Sequence, residues 1–308
     1  MNKKKIILVS NSDRQHRITE SYLKNFVSPS RDGRLWVYKQ GTARPERKGP
    51  RRVSTESHLF DIIGVPGHER ELEDSFSLIE TDAIPAVKKL IASQQLSEGE
   101  LGYIILLIAS LMVRGVRFDD HTIREIMHWC HNNPSGGQSL LGDFFALGGP
   151  GNLVIPAPAI TSGHVPPCII NRIRPFVMRH YVAALGRFHW FTVKSNDAAP
   201  DLVTSDNPVD QTNDGNPPPP GGVMGSNAPA IPNPTDMVKP GSLVTFPLGP
   251  RHALIGTVPR IGEAGPKEEH LLSDGEVRDI NVRTVRSASE IYSPTNNFSP
   301  PAGWGNVG

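Results

Sequence analysis

Two stretches of the chain hold so much proline and glycine that neither can form a strand ladder or an apolar core. Of the 29 glycines and 29 prolines in the chain, 12 glycines and 14 prolines lie at residues 134–167 and 213–241. Proline lacks the backbone donor that a ladder needs, and glycine adds no side chain to a core. We therefore expect two long surface loops inserted into one domain over residues 1–292, followed by a flexible tail at 293–308.

The segments between these loops run from short strands to helices and back to strands. Apolar residues recur at helical spacing over residues 15–26 and 69–93, and Ser97 with Glu100 predicts a capping box that opens an almost entirely apolar helix. A further helix is expected over residues 169–185. Strands are expected at residues 35–38, 58–60, 188–193, 201–204, 243–246 and 252–258.

This order contains no alternating strand and helix units, which predicts an α+β fold rather than a doubly wound sheet. We expect a central helical bundle packed with a small, mostly antiparallel sheet, and long Pro/Gly-rich surface loops outside it. The apolar run at residues 103–113 belongs in the centre of the bundle. It is also too short to span a membrane, which takes about 20 residues.

Charge and cysteine content exclude several classes of protein. The 32 basic and 31 acidic side chains leave a net charge of +1, so the chain has no overall positive field for nucleic acid or membranes. Cys130 and Cys168 are too few for a disulfide framework. The apolar run at residues 6–9 is too short for a signal peptide. We expect a cytoplasmic protein without a membrane partner.

Histidines suggest two chemistries that the sequence leaves open. His121, His128 and His131 share one predicted helix and could together contact a metal ion, although histidines are also common on half-exposed helix faces. Arg114 and His121 fit the Arg-x6-His spacing of helical ribonuclease domains. Such spacings also arise by chance in a chain with this many arginines.

A second set of polar residues lies at positions that we expect to be buried, where a charged side chain requires a partner. His16 lies at the start of the first predicted helix, Glu80 interrupts an apolar stripe, and Arg114 ends the most buried helix. Asp206 and Asn207 follow a predicted strand, where sites often form, but they can equally make an Asx-turn. A Glu80–Arg114 pair would be plain structure; beside His16 and Asp206 it would combine acid, base and anion-holding groups.

Short motifs over residues 15–292 match one pattern. The opening Gln-His-x-x-Thr-x-x-Tyr-Leu-x-x-Phe at residues 15–26 is followed by Leu35-Trp36-Val37-Tyr38-Lys39, Glu80 before Ala83-Ile84-Pro85-Ala86-Val87, Arg114, Thr204-Ser205-Asp206-Asn207-Pro208-Val209, Phe246-Pro247-Leu248 and Val277-Arg278-Asp279-Ile280-Asn281. Together they resemble the bacterial domain-of-unknown-function family four-two-three-eight, except that Thr19 replaces the family's proline. The resemblance carries no activity, but it implies that His16, Glu80, Arg114, Asp206 and Asn207 form one cluster.

Two functions follow as hypotheses. The first is a hydrolase of nuclease or toxin-effector type that acts on phosphodiesters. His16 would be its general acid or base, Asp206 would orient His16 or bind a divalent metal, and Arg114 would hold the anion. The basic stretch at residues 44–52 would then contact nucleic acid. The second is a non-enzymatic protein that binds a protein partner through its Pro-rich loop at 213–241.

Overall fold

The computed structural model describes most of the chain outside the two Pro/Gly-rich stretches. The described residues are 14–27, 32–42, 44–57, 59–60, 70–115, 118–119, 167–212, 238–260, 270–286, 288–301 and 304. The expected loops at 134–167 and 213–241 therefore lie almost wholly outside the described residues. So does the segment that carries His121, His128 and His131.

The described chain has three long α-helices, α2 (Glu71–Ile91), α3 (Glu98–Arg114) and α4 (Pro167–Leu185), and two shorter ones. Three of them, α2, α3 and α4, pack in sequence order, with α3 between its neighbours. Side chains of α3 such as Leu107 and Ile108 are completely buried, although the central helical bundle that we expected around this helix is not confirmed. The helices are α1 (Glu20–Leu23), α2 (Glu71–Ile91), α3 (Glu98–Arg114), α4 (Pro167–Leu185) and α5 (Asp274–Val285).

The described strands form sheets of five, four and two strands. The strands are β1 (Arg14–His16), β2 (Leu35–Lys39), β3 (Glu46–Lys48), β4 (Thr55–Ser57), β5 (His189–Ser195), β6 (Thr204–Ser205), β7 (Asp210–Thr212), β8 (Leu243–Gly249), β9 (His252–Thr257), β10 (His270–Leu272) and β11 (Glu290–Ser293). Their orders are β10-β5-β9-β8-β7, β3-β2-β11-β6 and β1-β4. The β10–β5 pair is parallel and the others are antiparallel.

The fold is therefore mixed α+β, as predicted, but its sheets are larger than the single small sheet that we expected. The difference arises because several strands are two or three residues long and pair across large distances in sequence. In the four-stranded sheet, β11 pairs with β2 on one side and with β6 on the other. Such short strands leave no recognisable alternation in the sequence.

The first predicted helix begins later than its apolar spacing indicated. Thr19 is the N-cap of α1, and its hydroxyl accepts a hydrogen bond from the Tyr22 amide at 3.0 Å. His16 consequently lies on strand β1, opposite Thr55 of β4, and not at the start of a helix. The strand that we expected at residues 58–60 is replaced by β4, just before it.

The capping box predicted for α3 is present, and a second capping box opens α5. In each box a serine hydroxyl accepts a hydrogen bond from the backbone of a glutamate, whose carboxylate accepts one from the serine amide. Ser97 and Glu100 open α3 in this way, and Ser273 and Glu276 open α5. Reciprocal bonds of this kind satisfy amides that a helix start otherwise leaves unpaired.

Tyr22 of α1 joins the two larger sheets at the centre of the molecule. Its hydroxyl donates to the Pro247 carbonyl oxygen of β8 at 2.6 Å and lies 2.9 Å from the Thr204 hydroxyl oxygen of β6. Its ring stacks on Phe246, with centroids 5.1 Å apart. Tyr22 has no exposed surface.

We expect Tyr22→Phe to lower the free energy of unfolding by about 1 to 3 kcal/mol, because the buried Pro247 carbonyl oxygen loses its donor and the Thr204 hydroxyl loses its hydrogen-bond partner. The matched control is Tyr103→Phe, since Tyr103 is exposed on α3. Urea unfolding followed by circular dichroism measures both variants. Equal midpoints for the two would contradict the bridging role of the Tyr22 hydroxyl.

Part of the expected tail packs against the domain. Trp304 is buried with Ile291 and Val285, and its indole nitrogen donates to the Ala288 carbonyl oxygen at 3.1 Å.

Among the described residues, no helix has both the length and the apolar character needed to cross a membrane.

Candidate functional site

Arg114 at the end of α3 ties three segments together. One terminal nitrogen donates to a Glu80 carboxylate oxygen on α2 at 2.5 Å, and the other donates to the main-chain oxygen of His16 on β1. The guanidinium carbon lies 4.7 Å from the Phe76 ring centroid and 5.3 Å from that of Phe60. Only 1% of the Arg114 side chain is exposed, so the pair with Glu80 is largely shielded from solvent.

A larger ionic cluster surrounds this pair. Asp119 accepts hydrogen bonds from two guanidinium groups, from Arg17 at 2.8 Å and from Arg174. Arg17 also donates to the Arg114 carbonyl oxygen at 3.1 Å and pairs with Glu56. Arg17 and Arg174 are both buried. We define the ionic cluster as Arg17, Glu80, Arg114, Asp119 and Arg174.

The predicted turn at Asp206 and Asn207 holds two segments in place. Both carboxylate oxygens of Asp206 accept from the Ser289 amide, at 3.0 and 3.2 Å. The Ser205 hydroxyl accepts from the Asn207 amide at 3.1 Å, so the turn's side-chain hydrogen bond comes from a serine. The Asp206 side chain is almost fully buried.

This turn lies directly against the end of α3. A Cβ atom placed on Gly115 would lie only 2.0 Å from Asn207 Oδ1 and 3.8 Å from the Asp206 carbonyl oxygen. Glycine is therefore the residue that lets the turn approach Arg114 so closely. The structure brings His16, Glu80 and Arg114 into direct contact, with Asp206 and Asn207 adjacent through Gly115.

His16 has the electrostatic environment of a proton acceptor. Its ring is half-buried, and its inaccessible Nδ1 has no hydrogen-bond partner among the described residues. Burial lowers the pKa of His16, and the positive charges of Arg114 and Arg51 lower it further, while the Glu20 charge and a hydrogen bond with the Val53 backbone oppose the shift. The imidazole is accordingly neutral near pH 7.

Glu73 is a second carboxylate near Arg114, and the sequence analysis did not single it out. It precedes Glu80 by two turns of α2, so both carboxylates occupy the same face of that helix. Glu73 is half-buried, and its Oε2 has no hydrogen-bond partner among the described residues. Burial raises the pKa of Glu73, the Glu80 charge adds to the rise, and the Arg114 charge opposes it.

Arg51 is an exposed cation whose positive charge lowers the pKa of His16. It lies in a 3-10 turn at Pro50–Arg52, within the basic stretch that the sequence identified. Its charge acts on the pKa values of both His16 and Glu20. Arg51 is open to solvent, unlike Arg114.

Asp206 makes the stability of the fold depend on pH. Burial raises its pKa from 3.8 to about 7, and hydrogen bonds from backbone amides oppose the rise. Because the folded state holds this proton more tightly than the unfolded state, the Asp206 contribution favours folding at acid pH. It is lost as the pH rises from about 4 to about 7.

We expect Asp206→Asn to remove that pH dependence. The asparagine oxygen still accepts from the Ser289 amide, and no buried negative charge develops. The measurement is the difference in unfolding free energy between wild type and variant at several pH values. The variant should gain stability relative to wild type between pH 4 and 7, and the difference should level off above pH 7. A difference that does not change with pH would contradict the raised pKa of Asp206.

Metal-binding side chains do not cluster in the part of the chain that the structure describes, where no group of three or more His, Cys, Asp or Glu could hold an ion. His121, His128 and His131 lie outside the described residues. The same holds for the histidine half of the Arg114/His121 spacing.

Fold and site together define a mixed α+β protein with a buried ionic cluster and a half-exposed histidine at its edge. The model of the family described as "Protein of unknown function (DUF4238)" matches residues 14–137 and 163–295, so the chain belongs to that family. The match confirms the resemblance drawn from the motifs. The chain matches no curated protein and no solved structure.

Proposed function

We propose that the chain is a phosphodiester hydrolase of nuclease or toxin-effector type, with His16 as its general base. The proposal rests on two side chains near the Arg114 guanidinium whose pKa values are shifted in opposite directions. Near Arg114 the pKa of His16 is lowered and that of Glu73 is raised. Groups whose environments push their pKa values apart in this way suit the roles of base and acid.

The proposed proton transfers use these two side chains. Neutral His16 takes the proton from an attacking water or hydroxyl, whose oxygen forms a bond to phosphorus. The bond from phosphorus to the leaving oxygen breaks, and that oxygen receives the Glu73 proton. General acid–base steps of this kind contribute factors of about 10² to 10⁴ in rate.

In this proposal Arg51, rather than Arg114, contacts the phosphate. Arg114 is enclosed by two aromatic rings and its terminal nitrogens are already occupied, whereas Arg51 is exposed beside His16. Glu80, Arg114, Asp206 and Asn207 act as positioning residues that hold β1 and the strand-end turn against α3. The nucleic-acid contact expected from the basic stretch is then concentrated at Arg51.

The test is hydrolysis of bis(p-nitrophenyl) phosphate and of a labelled single-stranded RNA by the full chain, in EDTA and with added Mn²⁺. We expect hydrolysis in EDTA, and we expect Arg51→Gln to lower kcat/KM roughly tenfold, as for loss of one charge-assisted hydrogen bond. The matched control is Arg44→Gln, an exposed arginine of the same stretch. Equal effects of both substitutions would contradict the proposal, and so would the absence of hydrolysis both in EDTA and with Mn²⁺. Hydrolysis with Mn²⁺ but not in EDTA would contradict the expected hydrolysis without a metal ion.

The alternative function, partner binding through the Pro-rich loop at 213–241, rests on sequence composition alone. Residues 213–237 lie outside the described residues. Deleting residues 213–241 should abolish capture of a partner and leave the folded core intact if that alternative is right.

A further inference from the structure

A cavity of about 410 Å³ lies between the five-stranded sheet and α5. None of the residues that line it belongs to the ionic cluster or to the proposed acid–base pair. The volume falls at the lower end of the range typical of small-molecule sites, roughly 300 to 1,000 Å³. The cavity therefore offers space for a ligand at a place distinct from the proposed catalytic site.

The floor of the cavity is an apolar row across three neighbouring strands. Ile255 of β9 pairs with Phe191 of β5 on one side and with Thr245 of β8 on the other. Directly paired residues share one face of a sheet, so these three side chains form a continuous surface. Phe191 and Ile255 are only partly buried, which leaves apolar surface available to a ligand.

The wall formed by α5 is charged where a helix packed on a sheet is usually apolar. Glu276, Asp279 and Arg283 all line the cavity from this helix. Glu276 is already engaged, since it caps the helix with Ser273 and lies 2.7 Å from the Nε2 atom of His270. Asp279 is exposed to solvent.

Arg283 also lines the cavity and has a hydrogen-bond donor, Nε, without a partner among the described residues. It is half-buried, and its Nε atom is inaccessible to solvent without a hydrogen-bond partner. No hydrogen bond or ion pair joins its guanidinium to another side chain among the described residues. A donor held in this way costs free energy that an incoming acceptor would recover.

We propose that this cavity binds a small carboxylic acid with an apolar ring. The ring lies on the Phe191–Ile255–Thr245 floor, and the carboxylate accepts hydrogen bonds from Arg283, whose planar donors match that group. The two carboxylates at Glu276 and Asp279 disfavour a dianion such as a phosphate monoester, so the ligand is a monoanion. This binding does not depend on the proposed hydrolase activity.

The experiment is calorimetric titration of the full chain with 2-naphthoate and with the neutral 2-naphthamide. We expect wild type to bind naphthoate more tightly than naphthamide. Arg283→Gln should weaken naphthoate roughly ten- to a hundredfold and leave naphthamide unchanged, because only the charged hydrogen bond is lost. The matched control is Val282→Thr, an exposed neighbour on α5 that should bind like wild type.

The comparison of the two ligands in wild type does not depend on any substitution. Equal affinities for naphthoate and naphthamide, or no binding of naphthoate at millimolar concentration, would overturn the proposal. So would an equal loss of both ligands in Arg283→Gln while its thermal unfolding midpoint stays at the wild-type value.

Discussion

Asp119→Asn is expected to lower the free energy of unfolding by about 3 to 5 kcal/mol, the cost of breaking a buried ion pair from one side. The Asp119 carboxylate accepts from Arg17 and from Arg174, and both arginines are buried. Burial lowers the pKa of Arg174 to about 10, and the Asp119 charge opposes that shift. Asparagine offers one acceptor oxygen and no charge, so it leaves Arg174 without a carboxylate partner and Arg17 with Glu56 alone.

Urea unfolding of wild type and Asp119→Asn measures this cost. The control is Glu46→Gln, because the ion pair between Glu46 and Lys48 lies on an exposed edge strand, where screening makes such pairs weak. Adding Arg174→Met to Asp119→Asn should recover part of the loss, since one uncompensated charge disappears. A stability change no larger than that of the control would show that the cluster is not what holds α3 and α4 to β1.

His16→Gln is expected to lower kcat about 10²- to 10⁴-fold on the phosphodiester substrate, the range for loss of a general base. The fold should survive, because Arg114 is bound by the main-chain oxygen of His16 and not by its imidazole. The thermal unfolding midpoint should therefore stay close to that of wild type.

The control for this substitution is His189→Gln, since His189 is an exposed histidine at the start of β5. Both variants are compared by kcat and kcat/KM under the same conditions. A loss of kcat in His16→Gln no greater than in His189→Gln would remove His16 from the mechanism.

Local signals in the sequence predict much of this fold, and pairing over long distances escapes them. The serine–glutamate boxes of α3 and α5 form within four residues, so they can be read directly from the chain. Strand β6 has two residues, and its place beside β11 depends on a segment far along the chain. The apolar spacing at residues 15–26 was misleading for a related reason, because α1 and the 3-10 turn that follows it at Lys24–Phe26 together imitate one longer helix.

Only two members of the ionic cluster, Glu80 and Arg114, could be predicted from the sequence. A charge in an apolar stripe demands a partner, which explains why Glu80 and Arg114 could be paired in advance. Glu73 looks like an ordinary acidic residue in the first turn of a helix, and only its burial in the fold distinguishes it. Asp119 and Arg174 carry no sequence signal, because their partnership exists only after α4 has packed on α3.

The pH dependence of kcat/KM for phosphodiester hydrolysis in EDTA tests the central claim most directly. We expect a maximum of kcat/KM at mildly acid pH. The rate falls on the acid side as His16, whose pKa lies below 6.5, becomes protonated, and on the alkaline side as Glu73, whose pKa lies above 4.5, loses its proton. Glu73→Gln should abolish the alkaline fall and His16→Gln the acid fall, each with a lower maximum. A rate that rises steadily through pH 8, or an unchanged profile in both variants, would contradict an acid–base pair at this site.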